Sequence, residues 1–145
     1  MRAAEYFANA RDPKTLTVRQ VMEDAVYTVS PQTKGTRIAE ILTEGNFGSV
    51  PVVEQDRTLV GLVSEFDLLR LMDQGKDLRQ LTASEIMIRD VVTATEQMLL
   101  PDIVKLLQKH HLIRVPVVDN KKLVGMVARR DVVFGYVKAT AYYWP

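Results

Sequence analysis

The chain has 145 residues, with 19 Lys and Arg against 18 Asp and Glu, and it contains no cysteine. A net charge of +1 provides no general attraction to nucleic acid or membranes, and the lack of cysteine excludes disulfides, thiolate zinc sites and cysteine nucleophiles. The 47% hydrophobic content suffices for one domain, or for two small repeats that share a core. No stretch predicts a signal peptide or a spanning helix, so we expect a cytoplasmic protein without a membrane partner.

The first half predicts helices and strands in alternation. Residues 1–16 predict an N-terminal arm or short helix, and Thr17 is a candidate N-cap of the short helical turn that follows. Because Pro51 cannot donate a ladder hydrogen bond, we expect it at the start of its strand or on an edge. The next predicted elements are a strand over 26–29, a helix that ends at Gly45-Asn46, strands over 50–53 and 59–63, and a helix over 66–72.

The second half predicts the same order of elements. Polar residues 74–77 mark the boundary between a first repeat at 17–75 and a second at 76–138. Residues 139–145 form an aromatic tail that we expect to fold back on the protein or to pack on a second subunit. The predicted elements are a helical turn capped by Thr82 or Ser84, a strand over 91–94, a helix over 99–110, strands over 114–118 and 123–128, and a helix over 130–139.

The two halves are copies of one pattern. The stretch from Arg114 to Asp131 repeats the stretch from Ser49 to Asp67, at an offset of 65 that falls to 64 after a loop near Asp56. Each half reads as β-α-β-β-α. We therefore predict an α/β (α+β) fold in which two repeats pack about a pseudo-two-fold axis.

These motifs identify a family. Both halves contain VPVV, followed by LVGLVSEFD in the first and LVGMVARRD in the second, and each has an upstream segment, TVRQVM or TASEIM. Each half resembles a cystathionine β-synthase (CBS) domain, and the whole resembles a stand-alone CBS-domain pair, or Bateman module. The resemblance implies a regulatory module that binds an adenosine derivative in the clefts between the repeats.

Asp67 and Asp131 are the central candidate ligands of these clefts. Each is expected at a helix start directly after a strand, where a carboxylate could accept hydrogen bonds from two ribose hydroxyls and free N–H groups suit a phosphate. Helix capping alone would also explain both residues, because Asp is favoured at that position.

The resemblance implies that each cleft combines the Asp of one repeat with the upstream segment of the other. Arg114 and Arg130 stand where adenylate-binding relatives place phosphate contacts, so we expect the nucleotide in the Asp131 cleft. Ala128 departs from the Ser or Thr that is frequent in the family, which loses one hydroxyl contact. The predicted nucleotide cleft comprises Thr17, Asp24, Ala25, Gly48, Arg114, Arg130 and Asp131.

The Asp67 cleft keeps a hydroxyl at Ser64, but Ser49 and Phe66 stand where the other cleft has cations, and Glu65 adds a negative charge. We expect it to be weaker, empty or suited to a ligand without phosphate. Its predicted residues are Ser49, Ser64, Asp67, Thr82, Asp90 and Ile113.

The sequence predicts no metal site, no required cofactor and no catalytic residues, since it offers no nucleophile with a positioned base. Nucleic acid is not an expected partner. The one feature in favour of nucleic-acid binding is a basic face made of Arg114, Lys121, Lys122, Arg129 and Arg130.

The expected function is a regulatory module that binds AMP, ADP, ATP or S-adenosylmethionine and signals by shape to a separate effector protein. The alternative is a dimerisation or docking module that has lost ligand binding. Relatives commonly form homodimers through the long helices, so we expect a homodimer.

Overall fold

The computed structural model describes residues 12–140. The predictions for residues 1–11 of the arm and 141–145 of the aromatic tail lie outside the described residues. The described chain divides into two compact units. The first unit contains residues 12–26, 92–120 and 124–140, and the second unit contains residues 27–91 and 121–123.

Helices alternate with two pairs of strands, which confirms the predicted mixture of α and β structure. The helices are α1 (Val18–Val21), α2 (Gly35–Gly45), α3 (Glu65–Asp73), α4 (Ala83–Ile86), α5 (Leu100–Lys109) and α6 (Arg129–Thr140). The strands are β1 (Ser49–Val53), β2 (Leu59–Ser64), β3 (Arg114–Asp119) and β4 (Lys122–Ala128). Short 3-10 turns at Pro13–Thr15 and Leu78–Gln80 precede α1 and α4.

The antiparallel pair of β1 and β2 is the sheet of the second unit. The predicted strand over 26–29 is reduced to one residue, Val29, which forms a parallel bridge with Val52. A turn begins directly after it, where the Ser30 N–H donates to the Thr33 hydroxyl at 3.0 Å. The chain therefore adds only Val29 to the sheet of β1 and β2 before it turns away.

Pro51 lies in the middle of β1 and not at its start, yet it disturbs no neighbour. It stands opposite Leu62 in the register with β2. On the other side, Val29 uses only the carbonyl of Pro51, at 3.1 Å, and takes its second hydrogen bond from the Val53 N–H at 2.9 Å. Because the neighbouring strand contributes this single residue, the missing N–H of Pro51 is not required.

The first unit repeats this arrangement with β3 and β4. Its predicted strand over 91–94 is likewise reduced to Ala94, in a parallel bridge with Val117. The Ala94 N–H donates to the Pro116 carbonyl, and the Ala94 carbonyl accepts from the Val118 N–H, both at 2.9 Å. The internal repeat of the sequence is thus also a repeat of hydrogen-bond geometry.

Each unit contains the upstream helix of the other repeat. In the first unit, Glu23 follows α1 and exchanges two backbone hydrogen bonds with Met126 of β4, both at 2.9 Å. In the second unit, Ile88 follows α4 and exchanges two with Leu62 of β2, at 2.9 and 3.0 Å. The compact units therefore differ in composition from the sequence repeats at 17–75 and 76–138.

Each unit also has its own apolar core. Continuously apolar strands are typical of a sheet that is covered on both faces, and Val115, Val117, Val50 and Val52 are almost fully buried. The core of the first unit adds residues from α1, α5 and α6, and that of the second adds residues from α2, α3 and α4. The ends of β2 and β4, where Asp67 and Asp131 follow, thus adjoin packed apolar cores.

Candidate functional site

Asp131 lies at the third position of α6, which begins without a loop after β4. Its side chain is 4% exposed. The N–H of Ala128, the last residue of β4, donates to Asp131 Oδ2 at 2.8 Å. This bond holds the carboxylate against the strand-to-helix junction, where the first N–H groups of a helix have no partner within it.

Arg114 is the neighbouring cation of the first unit. It begins β3 and is half-buried. Burial lowers the pKa of its guanidinium, while the carboxylates of Asp131 and Glu23 act in the opposite direction. An arginine keeps its charge under such conditions, so a partly desolvated cation lies near Asp131.

Two further arginines, Arg129 and Arg130, occupy the first turn of α6. The Arg129 N–H donates to the Ile113 carbonyl at 2.9 Å, and its Nε donates to the Leu112 carbonyl at 2.8 Å. Both arginines are exposed. Cations are unfavourable at the positive end of a helix, by about 0.3–1 kcal/mol each. The placement is therefore better suited to receiving an anion than to stabilising the helix.

The upstream residues predicted for this site belong to the same unit. Thr17 is the N-cap of α1, and its N–H donates to Gln20 Oε1 at 2.9 Å. Asp24 and Ala25 are exposed and follow Glu23, which is held by its bonds to Met126. Gly48 is different, because it lies in the second unit. Its assignment to the Asp131 site stays a prediction.

Asp67 occupies the matching place in the second unit, where Ser64 and Arg70 are its partners. It is the third residue of α3 and is 2% exposed. Its Oδ2 accepts the Ser64 N–H at 2.8 Å and the Ser64 hydroxyl at 3.0 Å. The Ser64 hydroxyl in turn accepts the Asp67 N–H at 3.3 Å. Ser64 and Asp67 thus form a reciprocal cap of α3.

Arg70, on the next turn of α3, is a cation that our sequence reasoning missed. Its Nη2 donates to Asp67 Oδ1 at 3.3 Å, and its own side chain is 55% exposed. The sequence pattern predicts no cation at the Asp67 site, because Ser49 and Phe66 stand where the other site has arginines. The missed signal was the spacing of three residues on a helix, which places two side chains on one face.

Ser49 is the cross-strand neighbour of Ser64, the residue that donates to this carboxylate. It pairs with Ser64 across β1 and β2 and is 6% exposed. Its Oγ has no hydrogen-bond partner among the described residues. A buried hydroxyl without a partner costs free energy, so each such group calls for a physical reason.

The remaining predicted residues of the Asp67 site are more dispersed. The Thr82 N–H and hydroxyl both donate to Glu85 Oε1 at 3.0 Å, so Thr82 serves the start of α4. Asp90 is exposed and belongs to the same unit. Ile113 is 61% exposed and belongs to the first unit, where its carbonyl accepts the Arg129 N–H. Its assignment to the Asp67 site stays a prediction.

Within residues 12–140, no group of three or more His, Asp or Glu side chains is arranged to hold a metal ion. None of the helices described there is long and apolar enough to cross a membrane.

The CBS domain family model matches residues 18–74 and 83–138, and the chain therefore belongs to the CBS domain family. It is 37% identical over 116 residues to the CBS domain-containing protein YhcV of Bacillus subtilis, a match that covers 79% of this chain and 81% of that protein. It spans 62% and 24% of the lengths of two other curated relatives.

Two solved structures are similar over most of the chain. The structure of CBSX2 in complex with AMP has 29% sequence identity and a TM-score of 0.78, and the match covers 86% of this chain and 98% of that one. The CBS domain pair of MJ0100, in complex with 5′-methylthioadenosine and S-adenosyl-L-methionine, has 28% identity and a TM-score of 0.74, with 83% and 97% covered.

Proposed function

We propose that this protein is a regulatory module that binds an adenosine nucleotide at the Asp131 site and signals to a partner protein through a change of shape. The candidate ligands are AMP, ADP, ATP and S-adenosylmethionine, and the proposed place of action is the cytoplasm. The solved relatives that hold AMP or S-adenosylmethionine support this ligand class.

The single observation that carries the proposal is the partly desolvated guanidinium of Arg114 near the buried carboxylate of Asp131. The two groups suit the ribose and the phosphate of a nucleotide. The carboxylate would accept the ribose hydroxyls, and the guanidinium would donate to a phosphate in the paired geometry that arginine favours. Arg130 and the first N–H groups of α6 would add to the phosphate contact.

Signalling requires two arrangements of the module that differ in their affinity for the ligand. The segment with Asp24 and Ala25 is the element best placed to differ. It belongs to the upstream part of the first repeat, yet it is held to β4 by the hydrogen bonds between Glu23 and Met126. A ligand that contacts both this segment and Asp131 would favour the arrangement in which the segment is fixed.

We propose a regulatory and not a catalytic role, because catalysis would need a nucleophile with a positioned base. We also propose that the Asp67 site binds more weakly or takes a ligand without phosphate. Glu65 adds a negative charge to the first turn of α3, where the Asp131 site has Arg129.

The function is tested by calorimetry and thermal shift with AMP, ADP, ATP and S-adenosylmethionine. Ligand at about a hundred times its dissociation constant adds about 2.7 kcal/mol of stability, which raises the midpoint by several degrees. Asp131→Ala is expected to abolish the shift. Asp102→Ala is the matched control, since Asp102 is also the third residue of a helix in the first unit but is exposed.

A shift that survives in Asp131→Ala would contradict the proposed site. The lack of any shift in folded wild-type protein would contradict the proposed function and favour a module that acts by docking alone.

A homodimer is the proposed assembly. α3 and α6 expose apolar side chains at matching positions of the two repeats, which is unusual for a surface without a partner. In the first unit, an apolar groove of about 480 Å³ between α5 and α6 adjoins Val133. The exposed matching residues are Leu69 and Met72 on α3 and Val133 and Tyr136 on α6.

A further inference from the structure

We propose that Arg70 closes the Asp67 site to adenosine ligands, and that the residue at position 70 decides whether this second site is filled. The inference deepens the proposed function, on which it rests for the ligand class. It concerns the difference between two sites that descend from one repeated motif.

The carboxylate of Asp67 has a limited capacity to accept hydrogen bonds. A carboxylate has about four acceptor positions, two on each oxygen. Three are used: Oδ2 accepts the N–H and the hydroxyl of Ser64, and Oδ1 accepts Arg70 Nη2. A ribose diol would need two positions. It must therefore displace either the Ser64 hydroxyl or the arginine.

The two side-chain donors to Asp67, Ser64 and Arg70, differ in how readily a ligand would displace them. The Ser64 hydroxyl can rotate toward another acceptor, whereas its N–H is fixed by the backbone. Arg70 carries a charge and donates to an oppositely charged, buried group, and such bonds are about twice as strong as neutral ones. The arginine is therefore the main obstacle to a diol at Asp67.

The residues that donate to Asp67 differ from those at the matching positions of the other repeat. At the offset of 64, Arg70 corresponds to Phe134 and Ser64 corresponds to Ala128. The residues at these two places in the first unit carry neither a cation nor a hydroxyl. The same pair of positions thus supplies two additional donors to Asp67 that the matching positions cannot supply to Asp131.

The Asp67 site retains a polar group that is suited to a ligand. Ser49 Oγ is buried opposite Ser64 and has no hydrogen-bond partner among the described residues. A ligand that displaced Arg70 would provide one. Removing the arginine also leaves the carboxylates of Asp67 and Glu65 in one helical turn, which favours a cationic ligand over a phosphate. The ligand class of the opened site is therefore S-adenosylmethionine, not AMP.

The test is calorimetric titration of S-adenosylmethionine and AMP into wild type, Arg70→Ala and Arg70→Lys. Arg70 is 55% exposed, so the variants are expected to fold, which circular dichroism checks. We expect Arg70→Ala to bind S-adenosylmethionine at a second site at least about tenfold more tightly than wild type, the effect of one charge-assisted hydrogen bond. Arg70→Lys keeps the charge and should remain closed.

Two further variants fix the interpretation. Adding Asp67→Asn to Arg70→Ala should remove the second binding event. Arg37→Ala is the matched control, because Arg37 forms an ion pair of the same spacing with Glu40, on α2 of the same unit. It should bind as wild type does.

Unchanged or weaker second-site binding in Arg70→Ala would overturn the inference, as would two equivalent AMP sites in wild type. Neither result affects the proposal of nucleotide binding at the Asp131 site, which depends on the loss of AMP binding in Asp131→Ala, although two equivalent AMP sites would contradict the proposed weakness of the Asp67 site. If wild type binds nothing while Arg70→Ala binds S-adenosylmethionine, the inference stands and the proposed function fails. If neither protein binds, both fail.

Discussion

Gly125 of β4 tests the attachment of the upstream segment to the first unit. A Cβ at this position would lie 2.7 Å from Met22 Sδ and 2.8 Å from the Glu23 carbonyl oxygen. The methionine can move, because its side chain is flexible. The Glu23 carbonyl cannot move alone, since Glu23 is bonded to Met126 in both directions at 2.9 Å. Gly125→Ala must therefore displace the segment that leads to Asp24 and Ala25.

These contacts determine how much stability Gly125→Ala loses. Overpacking of this kind costs about 1–3 kcal/mol. Weakening the two hydrogen bonds between Glu23 and Met126 adds up to about 1 kcal/mol for each, and the smaller entropy of the unfolded Ala variant offsets about 0.4–1 kcal/mol. We expect a net loss of about 2–3 kcal/mol. In a chain of this size that lowers the melting temperature by roughly 10 °C.

The assay combines calorimetric melting with hydrogen exchange. Exchange should accelerate at the amides of Glu23 and Met126, and nucleotide binding should weaken if the proposed site includes Asp24. Gly48→Ala is the control, since the nearest atom to its Cβ would be Glu65 Oε1 at 4.0 Å. That variant should be as stable as wild type or slightly more stable. A Gly125→Ala variant with wild-type stability and exchange would refute the reasoning.

Two further predictions concern charge and assembly. A hydrogen bond from Lys122, with others from Thr58, lowers the pKa of Asp56 to about 2. The pair of Asp56 and Lys122 therefore stabilises the fold above about pH 4, and this contribution is lost as the pH falls toward 2. Carboxyl NMR titration should find that midpoint, and Lys122→Ala should raise it toward 3.8; an unchanged midpoint would rule out the ion pair. For assembly, light scattering should give twice the 16.4 kDa chain mass for wild type and a monomer for Tyr136→Glu, whereas Tyr27→Glu, at a tyrosine of similar exposure, should remain a dimer. Dimeric Tyr136→Glu would exclude α6 from the interface.

Most of the fold could be predicted because each half carries its own local signals. The apolar strand runs, the helix that ends at Asn46 and the strand-to-helix junctions all depend on residues that are close in sequence. The failures were the strands over 26–29 and 91–94. Their composition favours strand, but only Val29 and Ala94 meet a neighbouring strand. The length of a strand at the edge of a sheet is set by tertiary pairing, which local composition does not encode.

The candidate site was predicted unevenly for a related reason. The family motif predicts Asp131 and Arg114 as ligand-binding residues; the structure places both in one unit, where the Asp131 carboxylate raises the pKa of Arg114 against the effect of burial. Arg70 was missed because the motif ends at Asp67, although the helical spacing of three residues was present in the sequence. The role of Gly125 was also hidden, since it depends on the approach of Met22 from a distant part of the chain.

Helix capping and ligand binding are alternative explanations of the two aspartates in the sequence, but the geometry makes them competing demands on one carboxylate. Both residues accept an N–H from the last residue of the preceding strand, so both serve their helices. Ser64 adds a hydroxyl donor to Asp67. Ala128 therefore does not simply lose a ligand contact, as the family pattern suggested. It also removes from position 128 the hydroxyl that Ser64 donates to Asp67, so the demand of helix capping on the carboxylate differs between the two repeats.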